Sequence, residues 1–300
     1  MKTVAVLMST YNGEKYIRQQ IDSILAQDGV SVSLLVRDDG SGDATHAILD
    51  EYQEKGALRW YTGPNLRSAY SFWDLLEQAP EADDYAFADQ DDFWHADKLR
   101  AAVERIEAES GEKPTLYFCK KRLVDGQLEP LEAEDEYVRG TELGYALLGC
   151  RASGCTMVFN RALLEQLRTY KPGFMTMHDS WVLRVASAVG RVIYDDVPHM
   201  DYRQHGGNVV GSTSRREILR RHWKNLLHHR QDTARTDMAR QLFDHYADAM
   251  APEERARLRD FADMRRSFSA RVRLIFSDFL KTHERREIIF VKCFVLLGWL

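Results

Sequence analysis

Three short apolar runs in the first ninety residues each stop abruptly in a cluster of small and acidic side chains. Residues 4–8 lead into Ser9-Thr10-Tyr11-Asn12, and residues 32–36 into Arg37-Asp38-Asp39-Gly40-Ser41-Gly42-Asp43. Residues 85–88 lead into Asp89-Gln90-Asp91-Asp92. An apolar run this short and this continuous reads as a strand buried on both faces, the pattern of a parallel sheet. Between the runs, apolar residues recur at helical spacing, as in Tyr16, Ile17, Ile21, Ile24 and Leu25. Strand and helix alternate through residue 109, with helices expected at 13–27, 44–52, 69–78 and 97–109. The chain is therefore expected to be α/β, with a Rossmann-like, mostly parallel sheet flanked by helices. In such a sheet ligands sit beyond the carboxyl ends of the strands, where all three polar clusters fall.

Further strands are expected at 115–119, 156–159 and 192–195, and helices at 160–167 and 178–189. Residues 202–208 read as a polar loop, and the chain from 214 onward as helical. The expected division is a domain over 1–212 followed by a helical region over 213–300. A net charge of −5 argues against a nucleic-acid partner. The four cysteines include no CxxC pair, which argues against a zinc site and points to a reduced, cytoplasmic compartment. The opening apolar run is too short for a signal peptide, and no run is long enough to span a membrane.

Each polar cluster carries two readings. Three carboxylates within Asp89-Gln90-Asp91-Asp92 repel one another unless a cation is near, and Mg²⁺ or Mn²⁺ would relieve that repulsion through hard oxygen ligands. The same residues also suit a solvated acidic turn, since helix N-termini favour Asp. Asp39 can accept from a base N–H or a ribose hydroxyl, or the 38–43 segment is simply a capped turn. Tyr11 can lie against a nucleobase and Glu14 can meet its ribose, or Asn12-Gly13 is only a turn. Asp179 beside His178 can serve as a general base or as a helix cap. Arg203 and His205 can balance phosphate charge, although a lone histidine is more often structural.

In combination these pieces resemble glycosyltransferase family 2, the inverting enzymes of the GT-A fold. The resemblance rests on Ser9-Thr10-Tyr11-Asn12-Gly13, Arg37-Asp38-Asp39-Gly40-Ser41 and Asp89-Gln90-Asp91-Asp92, followed by Trp94, Asp97, Lys98 and Leu99. It continues through Gly154-Cys155-Thr156-Met157-Val158-Phe159-Asn160, His178-Asp179-Ser180-Trp181 and Tyr202-Arg203-Gln204-His205-Gly206, and covers about residues 2–212. The later motifs are similar to rhamnosyltransferases of bacterial surface polysaccharide synthesis. The resemblance implies that Thr10, Tyr11 and Glu14 line a nucleoside pocket and that Asp39 contacts the base. It implies that Asp89 to Asp91 form the DXD motif, with Asp91 the first choice as direct ligand of Mg²⁺ or Mn²⁺ and Asp89 the second. Asp92 would shape the turn. Asp179 would be the catalytic base, His205 would sit near the diphosphate or metal, and Trp94 and Gly154 would face the acceptor. The 202–208 segment lacks the QxxRW motif of processive synthases, which points to single transfers. Implied partners are a nucleoside-diphosphate sugar donor, such as dTDP-rhamnose, and a saccharide or lipid-linked acceptor.

The helical region carries its own signal. Residues 212–231 hold six Arg or Lys and one Glu, and residues 265–292 hold eight Arg or Lys against three acids, with aromatic and aliphatic residues interleaved. Such a surface suits peripheral contact with an anionic membrane, or is the solvated face of a packed helical tail. Two other functions fit parts of the pattern. A metal-dependent nucleotidyltransferase would normally carry a basic Gly-rich loop near the N-terminus, and residues 9–13 contain no Lys or Arg. A non-catalytic carbohydrate-binding protein on a decayed transferase fold is opposed by the intact acids at Asp39, Asp89, Asp91 and Asp179.

Overall fold

The first strand, β1 (Thr3–Thr10), is buried along nearly its whole length because its two faces serve two different cores. Val4, Val6 and Met8 point to one side of the sheet, and Ala5 and Leu7 to the other; all five are fully buried. That arrangement explains a continuous apolar run where a one-sided strand would alternate. Burying Val4, Val6, Leu7 or Met8 stabilises the fold by about 2 kcal/mol each. In the computed structural model, residues 1–133, 137–204, 233–283 and 287–300 are described.

The sheet has eight strands in the order β3-β2-β1-β4-β7-β6-β8-β5. Besides β1 they are β2 (Ser31–Asp38), β3 (Leu58–Thr62), β4 (Asp84–Ala88), β5 (Phe93–Trp94), β6 (Thr115–Val124), β7 (Met157–Asn160) and β8 (Arg191–Arg203). β1, β2, β3 and β4 are mutually parallel, as are β6 and β8. The antiparallel members are β7, between β4 and β6, and the short edge strand β5. Because β7 reverses twice, the carboxyl ends of β6 and β8 arrive on the same edge as those of β1 and β4. Winding proceeds from β1 outward through β2 and β3, then restarts at β4 on the opposite side of β1. A crevice opens at such a reversal, and Thr10 and Asp89 stand on its two sides.

Helices α1 (Ile17–Leu25), α2 (Thr45–Glu54) and α4 (Lys98–Ser110) cover one face. Ile17, Ile21 and Ile24 of α1 and Leu99, Val103 and Ile106 of α4 pack there against Val4, Val6 and Met8. The other face carries α3 (Arg67–Gln78), α5 (Leu143–Leu148), α6 (Arg161–Arg168) and α7 (His178–Val189). The chain closes with α8 (Ala234–Tyr246), α9 (Pro252–Asp263), α10 (Phe268–Phe276) and α11 (Glu287–Leu297). Met238, Leu242, Leu258, Phe261, Leu274 and Val295 from these four helices join the same core cluster as α3, α7 and the sheet. Among the described residues no helix is long and apolar enough to cross a membrane.

Two features depart from the sequence reading. β8 runs to Arg203, so Tyr202 and Arg203 end a strand and do not open a loop. β6 likewise continues past Cys119 to Val124, across register shifts at Lys120. Both extensions carry charged residues that break the apolar pattern: Lys120, Lys121 and Arg122 of β6 keep exposure, whereas Asp201 and Arg203 of β8 are buried. His205 and the basic stretch 212–231 lie outside the described residues.

Candidate active site

Gln90 ties the two sides of the crevice together. Its Oε1 accepts from Thr10 Oγ1 at 2.5 Å and from the Tyr11 amide at 2.9 Å, while its Nε2 donates to the Tyr11 carbonyl at 3.2 Å. Gly13 lies so close to this amide that an added Cβ would collide with Gln90 Oε1. The second polar loop is bound to the first. The Asn12 amide donates to Ser41 Oγ at 2.8 Å, Asn12 Oδ1 accepts from the Gly42 amide at 2.8 Å, and Asn12 takes a positive φ of 49° to do so. Three sequence clusters thus form one continuous, hydrogen-bonded floor.

The acids of the third cluster differ in depth. Asp92 is fully buried; Asp89 and Asp91 keep partial exposure. Carboxylate oxygens of Asp89 and Asp92 and the Cys155 sulfur all lie within 4.8 Å of one another. Burial pushes Asp89 up to about 7, and the like charges of Asp91 and Asp179 add to the rise. Burial also lifts Asp92 well above the usual carboxylate range, with Asp89 and Asp91 reinforcing it. Asp92 Oδ1 accepts the Arg203 amide at 3.3 Å, and its Oδ2 has no partner among the described residues. Beneath it lies Lys98, whose ammonium is fully buried, sits 4.0 Å from the Trp94 ring centre and interacts with the Asp92 charge.

Asp179 reaches the crevice from the first turn of α7. Its Oδ2 accepts the Gly154 amide at 3.2 Å and its Oδ1 the Ser180 amide at 2.5 Å. Burial raises its pKa, and these two amides together with Arg184 and Lys121 hold the rise back. Its neighbour His178 points the other way, stacked on Phe72 with ring centres 3.9 Å apart and edge-on to Phe87 at 4.9 Å. Burial drives His178 down to about 3, so it is neutral. A Cβ on Gly154 would strike the His178 ring, so only glycine lets that backbone come close enough to serve Asp179.

The sequence-derived candidates fall into different places. Tyr11 stands half-exposed at the mouth. Thr10 is buried below it, with its hydroxyl given to Gln90. Glu14 is exposed, and its Oε2 accepts the Ala44 amide at 2.9 Å at the start of α2. Asp39 is buried against the Arg37 guanidinium and accepts from Ser71 Oγ. Gly154 meets the crevice through its amide. Two expectations are corrected. Trp94 does not face an acceptor: it is 1% exposed, because β5 pairs it with Met200 of β8 and turns its ring into the core around Ile24 and Leu99. Arg203 is not turned to a phosphate. Its buried guanidinium donates to the Asp91 carbonyl at 2.8 Å, the Gly126 carbonyl at 2.7 Å and Gln19 Oε1 at 2.7 Å, and so fastens the acidic loop to β8 and α1.

One residue escaped the sequence reading. Lys121 near the end of β6 donates to Ser153 Oγ at 2.8 Å, lies 4.7 Å from the Tyr202 ring centre, and lowers the pKa of both Asp89 and Asp179. The signal was the basic triplet Lys120-Lys121-Arg122 following an apolar strand at a sheet edge already rich in acids.

The donor set fits a hard divalent cation. Repelling carboxylates and a protonation forced on Asp89 near neutral pH are what a bound cation would relieve. Cys155 does not suit such an ion: burial and the adjacent acids push its thiol well above its ordinary range, and a protonated thiol is a poor ligand. Asp92 is enclosed, with Lys98 behind it. The partly exposed Asp89 and Asp91 are the carboxylates open to an ion that must also reach a diffusing ligand.

Comparison with known proteins identifies the family and agrees with the fold. The model of the family described as glycosyl transferase family 2 matches residues 5–167. A dTDP-rhamnosyl transferase of Shigella flexneri, RfbG, is 28% identical over 224 residues, covering 68% of this chain and 74% of that protein. The crystal structure of Staphylococcus aureus TarS with UDP-GlcNAc superposes with a TM-score of 0.54 at 18% identity, covering 100% of this chain and 91% of that one. The Pyrobaculum calidifontis mannosyltransferase PcManGT in complex with GDP-Man and Mn²⁺ gives a TM-score of 0.51 at 18% identity, over 90% of this chain and 71% of that one.

Proposed function

The chain belongs to glycosyltransferase family 2, and from that premise we propose that it moves a sugar, with inversion, from a nucleoside-diphosphate donor to an acceptor hydroxyl in bacterial surface polysaccharide synthesis. The observation that carries this reading is the meeting of Asp89, Asp91 and Asp179 in one crevice at the sheet's winding reversal. Tyr11 and Asp39 receive the nucleoside. Asp89 and Asp91 hold Mg²⁺ or Mn²⁺, which when bound would neutralise charge on the diphosphate leaving group.

Asp179 acts from the other side. It takes the proton of the acceptor hydroxyl as that oxygen bonds to the anomeric carbon and the bond to the diphosphate breaks. A carboxylate raised by burial is a stronger base than a solvated one, and the Gly154 amide fixes its direction. Lys121 lies near both carboxylates and is placed to offset negative charge from the donor.

Similarity to the Shigella protein favours dTDP-β-L-rhamnose as donor, which inversion would turn into an α-L-rhamnoside. We assign the acceptor to the saccharides carried on lipid at the inner face of the cell membrane, with the enzyme bound peripherally. The test is a transfer and donor-hydrolysis screen across dTDP-, UDP- and GDP-sugars with Mn²⁺. Turnover of one donor class, lost with chelator, supports the reading; no turnover of any donor sinks it.

A further inference from the structure

Helix α11 is apolar all round, and only one of its faces is covered. Ile288, Val291, Phe294 and Val295 turn to the core cluster shared with the sheet. Ile289, Phe290, Leu296 and Leu297 turn outward, and Ile289 and Phe290 are 68% and 66% exposed. With the exposed Cys293 they follow a spacing of one, four, seven and eight residues, which is a single helix face. Helix α10 adds Phe276 and Phe268, 86% and 66% exposed. Six of the fourteen large hydrophobic residues exposed among the described residues therefore fall between 268 and 297. A helix without a polar face needs a cover.

Charge identifies the cover. Residues 265–292 hold eight Arg or Lys against three acids, whereas the other positions hold 33 against 43. A chain that is acidic as a whole thus carries a basic segment alongside its exposed apolar surface, with Arg273 paired to Asp260 and Lys281 to Glu142 from neighbouring elements. Arg271 and Arg265 stand at the C-terminal side of α11, donating to the Leu296 carbonyl at 3.3 Å and the Leu300 carbonyl at 3.4 Å. Cations near an anionic bilayer are attracted to its surface, and the aromatic and aliphatic side chains enter the headgroup boundary.

We infer that the α10–α11 face is a docking surface for an anionic lipid bilayer, seating Phe268, Phe276, Ile289, Phe290, Leu296 and Leu297 in the interface. The inference rests on the reading of the acceptor as lipid-linked, and its test is separable from it. Flotation of the full chain with phosphatidylglycerol–phosphatidylethanolamine vesicles is compared with neutral phosphatidylcholine vesicles, using wild type and the pair Phe276→Ser/Phe290→Ser. Ile289→Ser/Leu297→Ser serves as a second variant. Donor hydrolysis in solution is followed in parallel.

The expected result is binding to anionic vesicles only, reduced at least tenfold in both variants, with hydrolysis unchanged. Wild-type protein that stays with the unbound fraction while hydrolysing donor overturns the docking surface and leaves the transferase standing. So does wild-type protein that sediments as a dimer while the variants sediment as monomers, since a second copy would then cover the face. Vesicle binding lost in the variants, with no hydrolysis by any of the proteins, supports the surface and sinks the transferase reading.

Discussion

The loops at 38–43 and 89–92 are alike in composition and opposite in electrostatics. In the first, Asp38 is buried yet accepts from the Gly40 amide, the Ser41 amide and hydroxyl, and the His46 ring, and these bonds hold its pKa below the usual value despite burial. In the second, Asp92 is equally buried with only the Arg203 amide and the Cys155 thiol as donors, and Asp89 is pushed up to about 7. Asp38, supplied with donors, holds its loop together within the fold. Asp89, set among like charges and partly exposed, is left with a charge that a cation from solution would relieve. Donor supply, not acidity of sequence, separates the carboxylate that shapes its loop from the one open to an ion.

The sharpest way to break this contrast is at the base across the crevice. Asp179→Asn should lower transfer about a thousandfold while donor affinity stays within about twofold, as read from steady-state kinetics and calorimetry. Transfer at the wild-type rate removes Asp179 from the mechanism. The next effect belongs to the structural loop. Asp38→Ala strands buried donors and should cost about 3 kcal/mol in denaturant unfolding; an unchanged midpoint would mean the hydrogen-bonded carboxylate is not what secures that loop.

Smaller effects sharpen how the base is held. Gly154→Ala forces a Cβ onto the His178 ring and displaces the amide that orients Asp179, and should lower kcat about tenfold with little change in KM for donor. His178 supplies a pH signature. Its pKa falls from 6.5 unfolded to about 3 folded, so below 6.5 the unfolded chain binds a proton that the folded chain refuses. That contribution to stability is complete above 6.5 and is lost as pH drops toward 3. Thermal unfolding of His178→Leu between pH 7 and 5 should be correspondingly flatter than wild type.

How much of this was legible in the sequence varies with the kind of force involved. Continuous apolar runs reported the parallel strands, because burial on both faces leaves no room for polar alternation. β5 and the far ends of β6 and β8 were not legible, since charged residues interrupt the apolar pattern there and backbone pairing, which any residue supplies, holds the segments together. The clusters at Asp89–Asp92 and Asp179 were visible as residue types. Their split into partly exposed Asp89 and Asp91 and enclosed Asp92 was not, because Asp92 is enclosed beside the Arg203 amide 111 positions away. Trp94 and Arg203 were misplaced for the same reason. Their chemistry suits a ligand, but the strand pairing β5·β8 turns one into the core and sets the other as a clamp on the acidic loop.

The central claim is that Asp89 and Asp91 of the donor-poor loop, and not the acids of its donor-rich twin, hold the cation on which nucleoside-diphosphate binding depends. Calorimetric titration of dTDP, UDP and GDP in Mn²⁺ or in chelator tests it directly, on wild type, Asp89→Asn and Asp43→Asn. The account predicts saturable, Mn²⁺-dependent binding of one diphosphate by wild type and Asp43→Asn, and its loss in Asp89→Asn. Equal binding in chelator, or undiminished metal-dependent binding by Asp89→Asn, would contradict it.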